Sequence, residues 1–468
     1  MLKSGASRKR CFGLFFVLFA GSVLPRPSDA QIWQVDPQIK DELRLKKLDT
    51  ILIQALKDEG IDLWLVFDRD ADDERVNIVW EERRKTHLDP VSEHIGTADI
   101  YQPAAFLFTP DGARVAIVSR TDQERVAPNV YTKTVTYEYT KRKGFEDIFP
   151  LLREEVERIA PATIGVNWSK YEPMADGLSL GMFRLLEETL GGLELRFVSA
   201  EDVVVSLLGR NTPEEVAHLQ ESAEISQQLM VEAFRTVRVG ETTERDLFHF
   251  IRFRMEQLGV EPGWNEVRSP IVTFQGPSSG RVPGEEKAEP GRLLKINGGV
   301  RIKGLSIDLN MNAYVLRPGE TGPPPKLQHM WDTVVKATEE AVKAIRPGVR
   351  CQDVDAVARR VVQQAGYEEW GYETGHSVGT WIHGIGPTLG PDWSHFSSKT
   401  AMSIQVNDAY AVEPAVEAHV PELDATVRVH VQEMVVVRPD GAHYMVPPQR
   451  KLLLVASAPG PSTSMSRP

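Results

Sequence analysis

Gly375-His376-Ser377-Val378-Gly379 sets a histidine in a glycine-bounded segment, His383 follows after six intervening residues, and Glu413-Pro414 lies thirty residues beyond His383. An imidazole and a carboxylate placed this way look like half of a metal-dependent hydrolytic centre. Such centres hold a cation through about three protein ligands and leave one position open for water or substrate. A lone histidine in a glycine-rich segment usually serves packing, but the pairing of His376 with His383 and a downstream Glu-Pro favours a site. His383 can hydrogen-bond a carbonyl oxygen on which negative charge develops. His395, His419 and His443 sit in polar stretches and read as surface residues. The acidic group Asp68, Asp70, Asp72 and Asp73 reads as a solvated loop, and Trp381 as packing.

Two kinds of chain must position these groups. From about Leu43 to Ser206, helix and strand patterns alternate. Ile61 to Phe67 is a strand following a helix that stops near Gly60, and Pro110-Asp111-Gly112 is a turn between the apolar runs Ala104–Thr109 and Arg114–Val118. Ala162 to Val166 is another short strand, so this part is an α/β domain. A boundary falls near Gly209. Thr212-Pro213-Glu214-Glu215 is a capping box with proline at the first helical position, and opens an amphipathic helix predicted to reach Val237. A second helix, capped near Thr242-Thr243, ends at Gly259. A further helix is predicted from Met330 into Ile345-Arg346-Pro347-Gly348, and the next ends at Gly366. Gly240 to Gly348 is an offset of 108 and Gly259 to Gly366 an offset of 107, which suggests an internal duplication with a site on its pseudo-twofold axis.

The first thirty residues stand apart. Lys3, Arg8, Lys9 and Arg10 precede an apolar run from Cys11 to Leu24, and Ser28-Asp29-Ala30 offers small residues before Gln31. This reads as a secretory signal peptide cut near Ala30. The run is shorter than the ~20 apolar residues of a membrane span, which disfavours a retained anchor. Removal of residues 1–30 shifts the net charge from −12 to about −16, which argues against nucleic acid or an anionic membrane surface as partner. It also leaves one cysteine, Cys351, so no internal disulfide forms and stability rests on an ordinary core.

The C-terminal part resembles the pita-bread metallopeptidases: methionine aminopeptidase, aminopeptidase P and prolidase, with creatinase as a metal-free relative. The part before it resembles the creatinase-type N-terminal domain. The resemblance covers about residues 40 to 455. It implies two metal ions on Asp, Asp, His, Glu and Glu, the two Asp being eleven residues apart on paired strands. Here those positions carry Asn297 and Asp308; the histidine is His376, the first glutamate Glu413, and the last glutamate position, nine residues before Gly441, is Gln432. Asn297 and Gln432 are neutral copies of the acids and cannot bind a cation through two oxygens. Glu433 does not replace Gln432 on an extended strand, because adjacent side chains face opposite ways. His430, with Arg428, shares the face of Gln432 and is the better-placed auxiliary. The family histidine about eighteen residues before the first Asp is missing, since none occurs between His249 and His329, and the extra histidine of the prolidase and aminopeptidase P groups is Tyr372.

The sequence therefore predicts an α/β (α+β) protein: a signal peptide over 1–30, a creatinase-like domain over 31–208, a pita-bread domain with internal duplication over 209–455 and a disordered tail over 456–468. The leader implies an exported protein, secreted or periplasmic, and the resemblance implies an Xaa-Pro aminopeptidase-like metallohydrolase. Asp308, His376 and Glu413 would hold one divalent ion (manganese, cobalt or zinc), or none. Glu413 would shuttle the proton and His383 would steady the oxyanion. The competing reading is a non-catalytic pseudopeptidase that binds peptides or a protein partner. Metal-free hydrolysis in the creatinase manner is weakened by the missing histidine. The implied partner is a peptide, with no nucleic acid, no membrane after signal cleavage, and a homodimer by analogy with relatives.

Overall fold

The computed structural model describes residues 37–68, 91, 95, 100, 102–127, 129–139, 147–264, 267–275, 282–396 and 398–456. The signal-peptide segment, the acidic residues Asp70, Asp72 and Asp73, the position about eighteen residues before Asn297 where the family histidine is missing (near Ser279 or Arg281), and the tail from 457 onward lie outside the described residues.

The first part is built on a sheet of six strands: β1 (Leu63–Asp68), β2 (Ala104–Phe108), β3 (Arg114–Ser119), β4 (Lys133–Tyr137), β5 (Thr163–Val166) and β6 (Arg196–Ser199). Their order is β4-β3-β2-β1-β5-β6, with β1 antiparallel to β2 and parallel to β5. Alternation sends Trp64 and Val66 to one core with Phe106 and Phe108, and Leu63, Leu65 and Phe67 to the other with Leu107. Burial on both faces is why β1 reads as a continuous apolar run. Helix Ile148–Ile159 covers the second face, and helix Glu201–Gly209 the first.

The second part repeats one arrangement twice. Helix Pro213–Arg235 opens on the Thr212–Glu215 capping box, turns at Gly240 and is followed by Glu244–Leu258. Pro325–Ala344 and Cys351–Gln364 flank Gly348 in the same way. The later pair starts at Pro325, not Met330: a proline at the first turn loses no helical hydrogen bond, so the Pro323-Pro324-Pro325 run is the helix entry. The first helix ends at Arg235, two residues short of the sequence expectation.

The first helix pair shares a core with strands β7 (Glu261–Pro262), β8 (Ile271–Phe274), β9 (Leu293–Gly298), β10 (Val300–Ile302), β11 (Leu305–Ser306) and β12 (Leu309–Val315). The second pair packs on β13 (Gly375–Ser377), β14 (Thr388–Leu389), β15 (Ala409–Val412), β16 (Ala415–Val420), β17 (Ala425–His430), β18 (Glu433–Arg438) and β19 (Gly441–Tyr444). β20 (Leu453–Val455) returns to the first half, giving the order β20-β12-β9-β8 against β14-β13-β15-β18-β19. The halves meet where Asn310 N donates to the Gln432 carbonyl at 3.2 Å.

The two parts are tied together around the loop after β13. Trp381 and Ile385 of that loop pack on the first part's core. A Cβ on Gly209 would come within 2.0 Å of Gly386 Cα, so helix Glu201–Gly209 seats directly on it. The part-buried pair Lys399–Glu172 at 2.8 Å crosses this joint, and the buried pair Arg210–Asp408 at 2.8 Å fixes the chain just beyond it.

Candidate metal centre

The hairpin of β9 and β12 supplies one wall. Asn297 lies opposite Asn310 and Lys295 opposite Asn312, so all four side chains project from one face. Asp308, just before β12, is 4% exposed. The opposing sheet supplies the other wall. Gly375 has no room for a side chain, since a Cβ would lie 2.3 Å from the Ala411 carbonyl oxygen. That close approach of β13 and β15 sets His376 opposite Ala411, and it leaves Glu413 next to Thr374, whose carbonyl accepts from Glu413 N at 2.7 Å.

Ligating atoms of Asp308, His376 and His383 all lie within 4.8 Å of one another. His376 Nε2 is 3.8 Å from Asp308 Oδ2 and 3.4 Å from Glu413 Oε1, and His383 Nε2 is 3.5 Å from Asp308 Oδ2. The set drawn together thus includes His383 beside the expected Asp308, His376 and Glu413, with Glu413 joined through His376. His383 is exposed and stands edge-on to both His376 and Trp264, on the open side.

The tautomer of His376 follows from its neighbours. Nδ1 is 3.1 Å from the Ser377 carbonyl, which can only accept, so Nδ1 carries the proton. Nε2 then presents a lone pair to two carboxylates. His376 Nε2 and Asp308 Oδ1 are both buried without a hydrogen-bond partner. Buried acceptors facing one another with no donor between them are costly, and a cation resolves the conflict. The donor set of imidazole nitrogen and carboxylate oxygens therefore fits a divalent metal ion.

Electrostatics point the same way. Burial, then the neighbouring His383, hold His376 below the ordinary histidine range. The hydrogen bond to Asp308 raises His383. Burial, followed by Asp308 and Glu373, pushes the Glu413 carboxyl well above its usual range.

Beside this cluster lies a network of amides. Asn297 Nδ2 donates to Gln432 Oε1, so the two neutral positions satisfy each other. Asn310 Oδ1 accepts from Gln432 N at 3.2 Å, which orients its amide and aims Nδ2 at the His430 carbonyl at 3.2 Å and at His430 Nδ1 at 3.0 Å. His430 Nδ1 is thus an acceptor, the proton sits on Nε2, and Nε2–H donates to Glu413 Oε2 at 3.2 Å. Burial, then Lys295 and Arg428, keep His430 well below the ordinary histidine range. His430 is therefore a hydrogen-bond donor to Glu413 in this arrangement. Glu433 turns to the other face, where Oε1 accepts from Gln449 N at 2.7 Å. Tyr372 donates to the Glu413 carbonyl at 3.3 Å and lies under the Arg428 guanidinium, 5.0 Å from the ring centre. His395, His419 and His443 are exposed, away from the cluster.

Lys295 is the residue that sequence reasoning missed. It is 5% exposed, and burial, with Arg428, lowers its ammonium to about 7 while Glu413 opposes the shift. The available signal was a charge inside the apolar run Leu293-Leu294-Lys295-Ile296, two residues before Asn297 and so on its face.

Residues 217–439 match the model of the metallopeptidase family M24. The Xaa-Pro dipeptidase of Pyrococcus furiosus is 23% identical over 315 residues, covering 67% of this chain and 80% of the relative. The dipeptidase PepE of Mycobacterium ulcerans superposes with a TM-score of 0.59 at 18% identity, covering 89% of this chain and 98% of that one. The N-terminal domain of the FACT complex subunit SPT16 from chickpea shares the fold at a TM-score of 0.55 and 11% identity, covering 89% of this chain and 99% of that one. Residues 217–439 thus form a domain of the metallopeptidase family M24, with the pita-bread fold, a family that implies the use of a divalent metal.

Proposed function

We propose that this protein is an exported hydrolase of amino-terminal peptide bonds, of the Xaa-Pro type, that works with a single divalent ion of the manganese, cobalt or zinc kind. The observation that carries the single-ion reading is the buried, unprotonated Nε2 of His376 between Asp308 and Glu413, set beside an Asn297–Gln432 pair that is already satisfied. Asp308, His376 and Glu413 would hold the ion, with His383 able to join them through Asp308. When bound, the ion supplies electrostatic activation of the attacking water and of the scissile carbonyl. Glu413 would take a proton from the attacking water and pass it to the leaving amine. His430 holds the Glu413 Oε2 oxygen from behind, so Oε1 stays turned towards His376. His383 reaches the open side and donates to the carbonyl oxygen as charge develops there.

The relatives named as Xaa-Pro dipeptidases support the substrate class. The direct Asn297–Gln432 hydrogen bond favours a second reading, a pseudopeptidase that binds peptides without cutting them, and one fold serves many functions. Cleavage of Xaa-Pro peptides by purified protein, with manganese and with chelator, decides between them. Metal-dependent cleavage lost in His376→Ala supports the hydrolase; peptide binding without cleavage under any metal supports the pseudopeptidase. Export is proposed from the leader-like residues 1–30, and an amino terminus near Gln31 in the secreted protein is the expected result. An intact Met1 there removes that part.

A further inference from the structure

Three successive residues of the linker between the two parts each touch a different segment that carries a candidate ligand. Gly209 lies against Gly386, in the loop that carries His383. Arg210 Nη1 donates to Asp408 Oδ2 at 2.8 Å and Nη2 to the Ser403 carbonyl at 3.1 Å, just before β15, the strand that leads to Glu413. Asn211, 5% exposed, donates from Nδ2 to the Val378 carbonyl at 3.0 Å, two residues after His376. β13 is paired with β15 only as far as Ser377, and the Asn211 amide supplies the donor for the buried carbonyl that follows. Gly379, the next residue, is pressed on the same amide, since a Cβ there would come within 3.0 Å of Asn211 Oδ1. The Gly379 carbonyl in turn accepts from Ser306 N at 2.7 Å, two residues before Asp308. One side-chain amide outside the ligand set thus stands where the segments of His376 and Asp308 are tied together.

We propose that Asn211 is a positioning residue of the metal centre: its amide sets the approach of His376 to Asp308, and through it the seating of the first part on the loop after β13 controls how tightly the ion is held. This rests on the single-ion reading of the site given above. A cation site tolerates ligand displacements of only about 0.2 Å. His376 Nε2 and His383 Nε2 stand 3.8 and 3.5 Å from Asp308 Oδ2, and the backbone that joins the two histidines runs through Val378 and Gly379. Without the Asn211 amide, the Val378 carbonyl is a buried acceptor left unpaired, and the peptide unit it shares with Gly379 must turn to find another donor. That rotation moves Gly379, and with it the tie to Ser306 that holds the Asp308 segment beside His376. Asn211 therefore acts on the ion through the ligands, as groups behind a metal's own ligands do.

The test is calorimetric titration of manganese into the purified protein, with the visible spectrum of the cobalt-loaded form as a report on ligand geometry. Asn211→Leu keeps the volume and removes the donor. It is expected to weaken manganese binding about tenfold or more, and to change the cobalt spectrum, in protein that is folded by circular dichroism. Glu172→Gln breaks the Lys399–Glu172 pair that crosses the same joint, and is expected to leave affinity and spectrum as in the parent. A loss of thermal stability in Asn211→Leu with parent affinity and spectrum is what a purely structural role would give, and overturns the proposal. Equal weakening by Glu172→Gln would place the effect in the joint as a whole and overturns it too. If Asn211→Leu does not fold, Gly379→Ala reaches the same contact from the other side and carries the same expectation. In an Asn211→Ala background, where its methyl has room, Gly379→Ala is expected to add no further loss, and additive losses overturn the proposal. A parent that binds neither manganese nor cobalt overturns the single-ion reading and this proposal with it; a parent that binds one ion equally well with and without the Asn211 amide overturns this proposal alone.

Discussion

The double change Asn297→Asp, Gln432→Glu replaces a donor–acceptor pair by two carboxylates in hydrogen-bond contact. At that separation, about 3 Å, two unit charges repel by ~5 kcal/mol at an effective dielectric of about 20. The protein need not bear the whole cost, because one carboxyl can keep a proton, as in other paired carboxyls. Protonating a group of ordinary pKa ~4.3 at pH 7 costs about 4 kcal/mol, since each pH unit is worth ~1.4 kcal/mol. The chelated double variant should therefore be less stable than the parent by up to about 4 kcal/mol, with Lys295 and Arg428 offsetting part of this. Metal should reverse the order. An ion that binds only the folded state at ~100 times its dissociation constant adds about 2.7 kcal/mol, and the variant with more carboxylates should gain more than the parent. The assay is thermal unfolding of parent and double variant, each with chelator and with manganese. Equal metal-induced shifts in the two proteins would refute the reasoning, because the amide positions would then not face the ion.

Other outcomes follow from groups outside the centre. Burial raises the Glu433 carboxyl from 4.5 to about 8 in the folded state, so the fold binds its proton more tightly than the unfolded chain does. That contribution is fully present below about pH 4.5 and is lost as pH rises through about 8, so parent stability should fall across this window relative to Glu433→Gln. The gap, read by urea unfolding, should approach ~5 kcal/mol above the window and vanish below it; a gap independent of pH contradicts the assignment. Cys351 is fully buried and its thiol is pushed up to about 12, by burial and then by Asp408, so native protein should resist thiol reagents. In denaturant the mature chain should show one reactive thiol, and two would mean that Cys11 is retained.

How much of this was legible in the sequence depends on the kind of signal. Capping at Thr212, the turn at Pro110-Asp111-Gly112 and the strand runs around Leu63 and Phe106 depend on local chemistry, which a chain displays directly. Strand alternation set His430 on the face of Gln432 and turned Glu433 from Asp308 and His376; in the structure His430 Nε2 meets Glu413 and Glu433 accepts from Gln449 N. The approach of His383 to Asp308 was not visible, since it depends on how the loop after β13 seats on the first part at Gly209. The burial of Lys295 was not legible, because lysine is not a ligand type and its burial depends on sheets brought together from distant segments. The helix entry at Pro325 was hidden by the ambiguity of a proline run, which serves as loop and as helix start alike.

The proposed centre holds one ion, with His376 at its heart. Metal content of protein purified without chelator, and again after equilibration with manganese, tests it most directly. One tightly bound divalent ion per chain is expected, lost in His376→Ala while the fold persists by circular dichroism. Two tightly bound ions per chain, or one ion that survives His376→Ala, would contradict it.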